Sequence, residues 1–324
     1  MGTKRTFVVR RRWMTTEDVV GIELAPADSL PLPPFDPGAH VEFFIDRPGQ
    51  PPLVRQYSLC NGPGETDAFV FGIKREPQSR GGSHWIHGLS QGDQVSLGAV
   101  RNLFPISPEA GSHLLLAGGI GITPVLAMAQ KLASVGAEYQ VHYFVRGTDH
   151  VAFRDRLKGS EAAGRLQVHA GLDAAKVKAV LGEVLARPRQ DAHAYCCGPG
   201  VFMDTVAEVA AAEWPSERVH FERFQAPAAQ IATSADVAFD VVLHKSGRRC
   251  HVEGGQSIVQ ALAAAGCDVM TSCEQGVFGT CLTNVLEGTP DHRDAYLSKV
   301  EREGGRLILP CVSRSKTATL VLDL

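Results

Sequence analysis

Short runs of β-branched and aromatic residues, separated by glycine, proline and aspartate, dominate the first hundred positions of the chain. Runs of this kind with turn residues between them are typical of strands in a small β-barrel. The predicted strands include Val41–Ile45, Phe69–Ile73 and Gln94–Leu97, and the proline-rich Pro31–Pro37 is predicted to be a loop. Residues 1–105 are therefore expected to form an antiparallel β-barrel domain.

The pattern changes after Ser112, where apolar runs alternate with helix-compatible stretches. A predicted strand and a predicted helix flank a glycine-rich turn, which begins a βαβ unit whose helix N-terminus can face a pyrophosphate. Pro124 fits the first turn of that helix, where a missing N–H costs no hydrogen bond. The predicted strands are Leu114–Ala117, Gln140–Val145, Leu166–Ala170 and Ala192–Cys197, and the helices include Val125–Ser134 and Val201–Glu213. Residues 106–225 are expected to form an α/β domain with a parallel sheet.

The last third of the chain predicts a small α+β domain. Residues 226–236 are rich in alanine, include a proline and a serine and have no apolar period, which indicates a linker. Ser257 is placed to cap a short helix that Gly266 ends. A hairpin, this helix and two late strands predict a ferredoxin-like β-grasp domain over residues 237–324. Its predicted elements are Val237–Leu243, Arg249–Val252, Ile258–Ala265, Leu307–Leu309 and Thr317–Leu322.

Composition narrows the function classes. A hydrophobic fraction of 44% and a charged fraction of 21% are ordinary for a globular protein, and a net charge of -3 argues against nucleic acid as the main partner. No apolar run approaches the ~18 residues of a membrane span, and the basic N-terminus lacks the apolar core of a secretory signal. Eight cysteines without secretion predict reduced thiols or metal ligands in a cytoplasmic protein.

A cysteine pattern in the third domain indicates metal chemistry. If Phe278 were a cysteine, the stretch from Cys273 to Cys281 would have the C-x4-C-x2-C spacing that holds a plant-type [2Fe–2S] cluster. Cys311 is a candidate for the distant fourth ligand. The predicted metal ligands are thus Cys273, Cys281 and Cys311, and the alternative is a glycine-rich turn with incidental cysteines. Phenylalanine cannot bind iron, so one ligand of the pattern is missing.

Several motifs in the first two domains suggest cofactor binding. An arginine beside a Tyr–Ser pair offers a fork for phosphate, an aromatic face for a flat ring and hydroxyl donors. A Gly-Gly-Ser turn can open a helix that binds an anion. These groups are Arg55, Gln56, Tyr57 and Ser58, then Gly72, Ile73 and Lys74, and then Gly81, Gly82 and Ser83. In the second domain the turn Gly118–Pro124 departs from the strict dinucleotide fingerprint, and Cys197-Gly198-Pro199 follows a later strand.

In this order the motifs resemble the ferredoxin–NADP reductase superfamily, and the whole chain resembles the phthalate dioxygenase reductase and vanillate O-demethylase reductase family. The resemblance implies that FMN is the flavin, NADH the electron donor and a Rieske oxygenase the partner. It implies a relay in which hydride passes from NADH to the flavin and the cluster exports single electrons. The chain is expected to act as a monomer, without nucleic acid or membrane.

The resemblance also implies roles for individual residues. Catalytic roles fall on Ser58, Thr123 and Cys197, with Cys197 beside the nicotinamide. Phe224 is the aromatic residue expected near the flavin. The cofactor-binding set is Arg55, Gln56, Tyr57, Ser58, Gly72, Ile73, Lys74, Gly81, Gly82, Ser83, Gly118, Gly119, Gly121, Thr123, Pro124, Cys197, Gly198, Pro199 and Phe224. Without this context, Cys197 would be interpreted as a small buried hydrophobic residue.

Phe278 is the main departure from the family, which has cysteine at that position. Cys267 has no evident route to the ligand position, so a site with three thiolates is expected to hold a cluster weakly or to lose it. Three hypotheses follow: an oxygenase reductase, a flavin-only NADH oxidoreductase, or a docking subunit without activity. The intact flavin and nicotinamide motifs weigh against the third. Arg146 and Asp149 leave the choice between NADH and NADPH open on residues alone, and the family favours NADH.

Overall fold

The structure is a computed structural model that describes residues 4–47, 50–77, 79, 81–224, 236–267, 269–271 and 273–324. The chain divides into two compact units, residues 1–223 and 224–324, which are called unit 1 and unit 2 below. The predicted boundary between residues 105 and 106 lies inside unit 1. The predicted linker 226–236 lies outside the described residues except for Asp236. Within the described ranges, no helix combines the length and apolar character that crossing a membrane requires.

The first half of unit 1 is a six-stranded antiparallel sheet. Its strands are β1 (Arg5–Met14), β2 (Val19–Pro26), β3 (Ala39–Arg47), β4 (Gln50–Ser58), β5 (Phe69–Lys74) and β6 (Gln94–Asn102), in the order β4-β3-β6-β1-β2-β5. The edge strands meet where Leu59 forms a bridge with Phe71, so the sheet curls toward a barrel. Inward aromatic side chains such as Phe7, Phe43 and Phe71 fill its core. The predicted antiparallel barrel is confirmed.

The second half of unit 1 is a five-stranded parallel sheet. Its strands are β7 (Ser112–Gly118), β8 (Glu138–Val145), β9 (Leu166–Ala170), β10 (Ala192–Cys197) and β11 (Val219–Glu222), in the order β11-β10-β7-β8-β9. The helices of unit 1 are α1 (Gly82–His87), α2 (Ile122–Ser134), α3 (Arg154–Ala162), α4 (Ala174–Leu185) and α5 (Gly200–Ala210). Helices α4 and α5 cover the face that carries Leu116, Phe144 and Ala194. The parallel sheet was predicted, and β11 was the strand that the sequence did not single out.

Unit 2 is a mixed sheet with two short helices. Its elements are β12 (Phe239–Leu243), β13 (Arg249–Val252), α6 (Ile258–Ala264), β14 (Thr283–Glu287), β15 (Pro290–Asp291), α7 (Lys299–Gly304), β16 (Leu307–Ile308), β17 (Arg314–Ser315) and β18 (Thr319–Leu322). The larger sheet has the order β13-β12-β18-β14-β16. Ser257 caps α6 as predicted, with a capping box that includes Gln260. The two late strands are one or two residues shorter than predicted.

Asp294 supports the loop from Cys273 to Cys281, which is called the cysteine loop below. Its side chain is 1% exposed and accepts hydrogen bonds from the backbone N–H groups of Tyr296 (3.2 Å) and Leu297 (2.7 Å). The Ser313 hydroxyl donates to the other carboxylate oxygen over 3.3 Å. Next to it, the N–H of Ala295 donates to the carbonyl of Gly276 over 2.9 Å. Hydrogen bonds that involve no cysteine sulfur therefore help to hold the loop.

Candidate functional site

The barrel and the parallel sheet of unit 1 meet at a buried hydrogen bond. Ser58 is the last residue of β4 and Glu222 the last residue of β11. The Ser58 Oγ donates to the Glu222 Oε2 over 3.0 Å, and the two residues are 4% and 5% exposed. The carboxyl ends of parallel strands form the customary ligand crevice of an α/β sheet. The Ser58 hydroxyl from the barrel thus lies at the edge of the sheet where a ligand is expected.

Burial makes Glu222 an unusual carboxyl group. Loss of hydration raises the pKa of Glu222 from 4.5 to about 8. Its second oxygen, Oε1, is buried without a hydrogen-bond partner among the described residues. A carboxyl group with this pKa is mostly protonated at pH 7, so it can donate a proton or a hydrogen bond to a group placed beside it.

Cys197 lies beside Glu222 and is also neutral. The two residues are register partners of the parallel strands β10 and β11. The Cys197 side chain is fully buried, and burial raises the pKa of its thiol well above the usual value, with the neighbouring Glu222 adding to the shift. A thiol that stays protonated is a poor nucleophile. Cys197 is therefore suited to packing against a bound ring rather than to covalent chemistry.

The two glycine motifs of the parallel sheet touch each other through their backbones. A Cβ atom at Gly121 would lie 2.1 Å from the carbonyl oxygen of Cys197. A Cβ atom at Gly198 would lie 3.0 Å from the Cα atom of Gly118. Gly119 has a φ of 52° and open space where a side chain would stand. The turns after β7 and β10 thus form a close pair of backbones with an open surface at Gly119, which a flat or phosphate-bearing ligand can approach.

A second junction joins β5 of the barrel to α2. A Cβ atom at Gly72 would lie 2.9 Å from the Cγ2 of Thr123 and 2.5 Å from the Cε2 of Phe153. Phe153 is buried and has a left-handed backbone with a φ of 56°. Such a conformation is strained for a bulky residue and occurs preferentially near functional sites. The Thr123 hydroxyl donates to the carbonyl of Ile120 over 3.0 Å. Gly72 of the barrel motif and Thr123 of the glycine turn are thus neighbours.

Basic and polar groups of the barrel motifs collect near the start of α1. The Arg55 side chain passes Gly82, where an added Cβ atom would lie 2.9 Å from the Arg55 Cγ. Ser83 accepts a hydrogen bond from the backbone N–H of Glu76, and Lys74 forms an ion pair with the Glu76 carboxylate at 3.3 Å. A guanidinium, an ammonium and a helix start in one region are chemically suited to a phosphate group.

The remaining barrel residues of the predicted set have structural contacts. The Tyr57 ring packs edge to face on Phe43 with centroids 5.1 Å apart, and burial raises the pKa of its hydroxyl. The Gln56 Nε2 donates to the Glu42 Oε1 over 3.3 Å. Ile73 is fully buried. Its carbonyl lies 2.9 Å from the Nε2 of His87.

The cysteine loop of unit 2 brings two of its three predicted ligands together. The Sγ atoms of Cys281 and Cys311 are 3.2 Å apart, and the residues are 5% and 8% exposed. Cys273 is half-buried, and its sulfur accepts from the backbone N–H of Gln275 over 3.4 Å. Among the side chains that the structure describes, His, Cys, Asp and Glu nowhere form a group of three or more able to hold a metal ion.

The two glycines of this loop occupy positions that exclude side chains. Gly276 and Gly279 have φ angles of 68° and 72°. A Cβ atom at Gly276 would lie 2.5 Å from Val312, and one at Gly279 would lie 2.4 Å from the Tyr296 ring. The loop therefore has the curled backbone that was predicted for wrapping a cluster.

The thiols of unit 2 do not complete a four-thiolate set. Phe278 is 6% exposed at the position of the missing ligand. Cys250 and Cys267 lie with the hydrophobic core of β12, β13 and α6, and the Cys267 sulfur accepts from the Arg248 Nη1 over 3.0 Å. Because a [2Fe–2S] cluster is held by four protein ligands, the cysteines present fit it one ligand short.

Comparison with known proteins finds matches to part of unit 2 and to nearly the whole chain. Residues 241–316 match the 2Fe-2S iron-sulfur cluster binding domain. Over 315 residues the chain is 41% identical to a vanillate O-demethylase oxidoreductase of Pseudomonas sp. (strain HR199 / DSM 7063), covering 96% of this chain and 97% of that protein. It is 37% identical over 309 residues to phthalate dioxygenase reductase of Burkholderia cepacia, covering 95% and 93% of the two chains.

A solved structure of phthalate dioxygenase reductase extends the match to three dimensions. It is described as a modular structure for electron transfer from pyridine nucleotides to [2Fe–2S]. With this chain it shares 36% identity and a TM-score of 0.72, covering 99% of this chain and 98% of the other. This chain belongs to the phthalate dioxygenase reductase and vanillate O-demethylase oxidoreductase family.

Members of this reductase family are nicotinamide-dependent flavin oxidoreductases that serve Rieske aromatic oxygenases and pass electrons through a flavin to [2Fe–2S]. The family resemblance, the fold class and the reductase activity predicted from the sequence are thus confirmed. Glu222 and Phe153 were not predicted as site residues. A lone acid in an apolar strand was the available signal for Glu222, and no sequence pattern indicates Phe153.

Proposed function

We propose that this chain oxidises NADH through a bound FMN and serves as the reductase component of a Rieske-type oxygenase. The observation that carries the proposal is the junction of Ser58, Glu222 and Cys197, which joins the barrel to the ligand-binding edge of the parallel sheet. A flavin ring on the barrel side and a nicotinamide on the sheet side would meet there. The monomeric state and the cytoplasmic location stay predictions.

The barrel motifs would hold the flavin. The proposed set is Arg55, Gln56, Tyr57, Ser58, Gly72, Ile73, Lys74, Gly81, Gly82 and Ser83, and the role of Phe224 near the flavin stays a prediction. Arg55 and Lys74 supply positive charge close to the start of α1, where the flavin phosphate would be bound. No segment after Ser83 stands out as a site for an adenine, which favours FMN over FAD. Extraction and chromatography of the flavin test this assignment.

The glycine turns of the parallel sheet would hold NADH. The proposed set is Gly118, Gly119, Gly121, Thr123, Pro124, Cys197, Gly198 and Pro199. Close backbone contact between Gly121 and Cys197 keeps side chains out of the cleft, and Gly119 leaves its surface open. Asp149 follows β8 and lies exposed, and a hydrogen bond from His150 lowers the pKa of its carboxyl. An ionised acid there favours a free ribose hydroxyl over a 2′-phosphate, which supports NADH.

The chemistry at the junction divides between the flavin and this chain's own residues. When bound, the flavin would accept a hydride from NADH and release the electrons one at a time. Glu222 holds a proton near pH 7, and the Ser58 hydroxyl lies in hydrogen-bond contact with it. Thr123 and Gly72 hold the helix and the barrel strand together. These residues therefore position two rings and keep a proton available in a site protected from water.

The ligand set for the cluster in unit 2 is less complete than the flavin and nicotinamide motifs of unit 1. With Phe278 at a ligand position, we infer that the protein as written holds less than two irons per chain and reduces a one-electron protein partner slowly. This observation favours a second candidate function, a flavin-only NADH oxidoreductase. A docking subunit without activity is disfavoured by the intact arrangement in unit 1.

The test is the visible spectrum and iron content of the purified full-length protein and of Phe278→Cys. NADH oxidation with ferricyanide should be equal in both proteins, because that acceptor takes electrons from the flavin. Iron–sulfur absorbance and reduction of a Rieske oxygenase should increase together in Phe278→Cys. Two irons per unmodified chain with full partner reduction would overturn the inference about the cluster. Absence of flavin would overturn the proposed function itself.

A further inference from the structure

With Phe278 at one ligand position, the three remaining candidate ligands of unit 2 differ in their contacts. Cys281 and Cys311 are in sulfur contact at 3.2 Å, whereas Cys273 is bonded to a loop N–H and belongs to no group of three potential ligands among the described residues. The pairwise contact joins positions 30 residues apart. The loop thus places the sulfurs of Cys281 and Cys311 in direct contact, as a dithiol.

Both sulfurs of this pair are held by fixed backbone. Cys281 and Cys311 pack in one small cluster with Leu297, Leu309 and Val312. The Cys281 carbonyl accepts from the Thr283 hydroxyl over 2.9 Å, and the N–H of Val312 donates to the carbonyl of Leu309 over 3.2 Å. The sulfurs therefore stay opposed without a metal between them. An S–S bond is about 2.05 Å long, so the pair needs to close by little more than an ångström.

We propose that Cys281 and Cys311 form a reversible dithiol–disulfide pair in this chain, with hydrogen peroxide as the oxidant. This proposal goes beyond the reductase function and rests on the incomplete ligand set inferred for the cluster. In the first step, one sulfur bonds to a peroxide oxygen, the O–O bond breaks and one water leaves. In the second, the other sulfur displaces the hydroxyl, so that an S–S bond forms and a second water leaves. The two thiols lose two electrons and two protons, and the peroxide accepts both.

The sequence allows the bond to be located without ambiguity. Cleavage after glutamate releases residues 275–287, which contain Cys281 as their only cysteine, and residues 304–324, which contain only Cys311. Cys273 falls in a different fragment, because Glu274 separates it from Cys281. A disulfide between the first two fragments is therefore diagnostic of this pair.

The experiment uses the full-length protein with its flavin, freed of iron with a chelator and treated with one equivalent of hydrogen peroxide. The number of thiols titrated after denaturation should fall from the eight of the sequence to about six. The linked fragments should appear in unreduced digests and separate after treatment with dithiothreitol. Cys273→Ser should leave the linkage unchanged, and Cys281→Ser or Cys311→Ser should abolish it.

Several results would overturn the proposal. Eight thiols remaining after peroxide treatment, a bond from Cys273, or sulfinic acid at Cys281 without a bond would each do so. The mapping of the unmodified chain decides the matter even if a serine variant fails to fold. NADH–ferricyanide activity measured on the same samples reports on the proposed function separately. Its absence would refute that function, whereas the thiol count would refute only the dithiol pair.

Discussion

Glu222→Gln tests whether the acid at the junction of barrel and sheet is neutral in the folded protein. Glutamine is nearly the same size and keeps an oxygen that accepts the hydrogen bond of Ser58, but it cannot ionise. In the native protein, burial raises the pKa of Glu222 from 4.5 to about 8. Below pH 4.5 the carboxyl is protonated in the folded and unfolded chains alike, so it adds no pH dependence there.

Between these two pKa values the unfolded chain loses the proton and the folded chain keeps it. The free energy of unfolding therefore falls by about 1.4 kcal/mol for each pH unit in this window, and the fall levels off near pH 8. From about pH 5.5 to about pH 8 the native protein should lose at most about 3 kcal/mol relative to Glu222→Gln. The variant should be the more stable protein at pH 8 and should differ little near pH 4.5.

The assay is thermal unfolding of unit 1, followed by release of flavin fluorescence across this pH range. Glu217→Gln is the matched control, because Glu217 is an exposed glutamate near the start of β11. It should show the same pH dependence as the native protein. Parallel pH profiles for the native protein and Glu222→Gln would refute the assignment, since they would mean that Glu222 ionises normally in the fold.

Four further outcomes are expected. Gly121→Ala should destabilise unit 1 by about 1–3 kcal/mol, since its Cβ would meet the Cys197 carbonyl at 2.1 Å although its φ of -61° is an ordinary one. Gly182→Ala, in α4 with open space at the Cβ, should be neutral or stabilising in the same denaturation experiment. Arg55→Ala should weaken FMN binding by roughly 10- to 150-fold in a fluorescence titration, the equivalent of about 1.5–3 kcal/mol, and unchanged affinity would contradict a phosphate role. Steady-state kinetics should give a higher kcat/KM for NADH than for NADPH, and the reverse order would contradict the role given to Asp149.

Much of the fold could be predicted because its strands are local patterns. The runs that became β3, β5 and β8 carry β-branched and aromatic residues that burial selects. Strand β14, Thr283–Glu287, was not predicted, because its sequence TNVLE alternates weakly and the strand pairs with distant strands. Helix α7 had a usable signal, since Ser298 and Glu301 form a capping box.

In the site, too, local motifs could be predicted from the sequence and contacts between distant residues could not. The glycine turns and the cysteine spacing are contiguous motifs, so the sequence displays them directly. The bond from Ser58 to Glu222 spans 164 positions, and no local pattern indicates such a pair. Phe153 depends on its left-handed backbone and on the space left by Gly72, which exist only after the chain has folded.

In a metal site the shape of the ligand loop and its capacity to bind the metal usually depend on each other. The hydrogen bonds of Asp294 make the shape of the cysteine loop separate from that capacity. Three hydrogen bonds at the Asp294 carboxylate, the bond from Ala295 to the Gly276 carbonyl and the two glycine positions shape the backbone around the loop, and none of them involves a sulfur. The ligand loss proposed at Phe278 would then lower the capacity for electron transfer without exposing apolar surface. The protein would keep its folded loop. The loss would be visible in its iron content, in its visible spectrum and in its reduction of an electron acceptor.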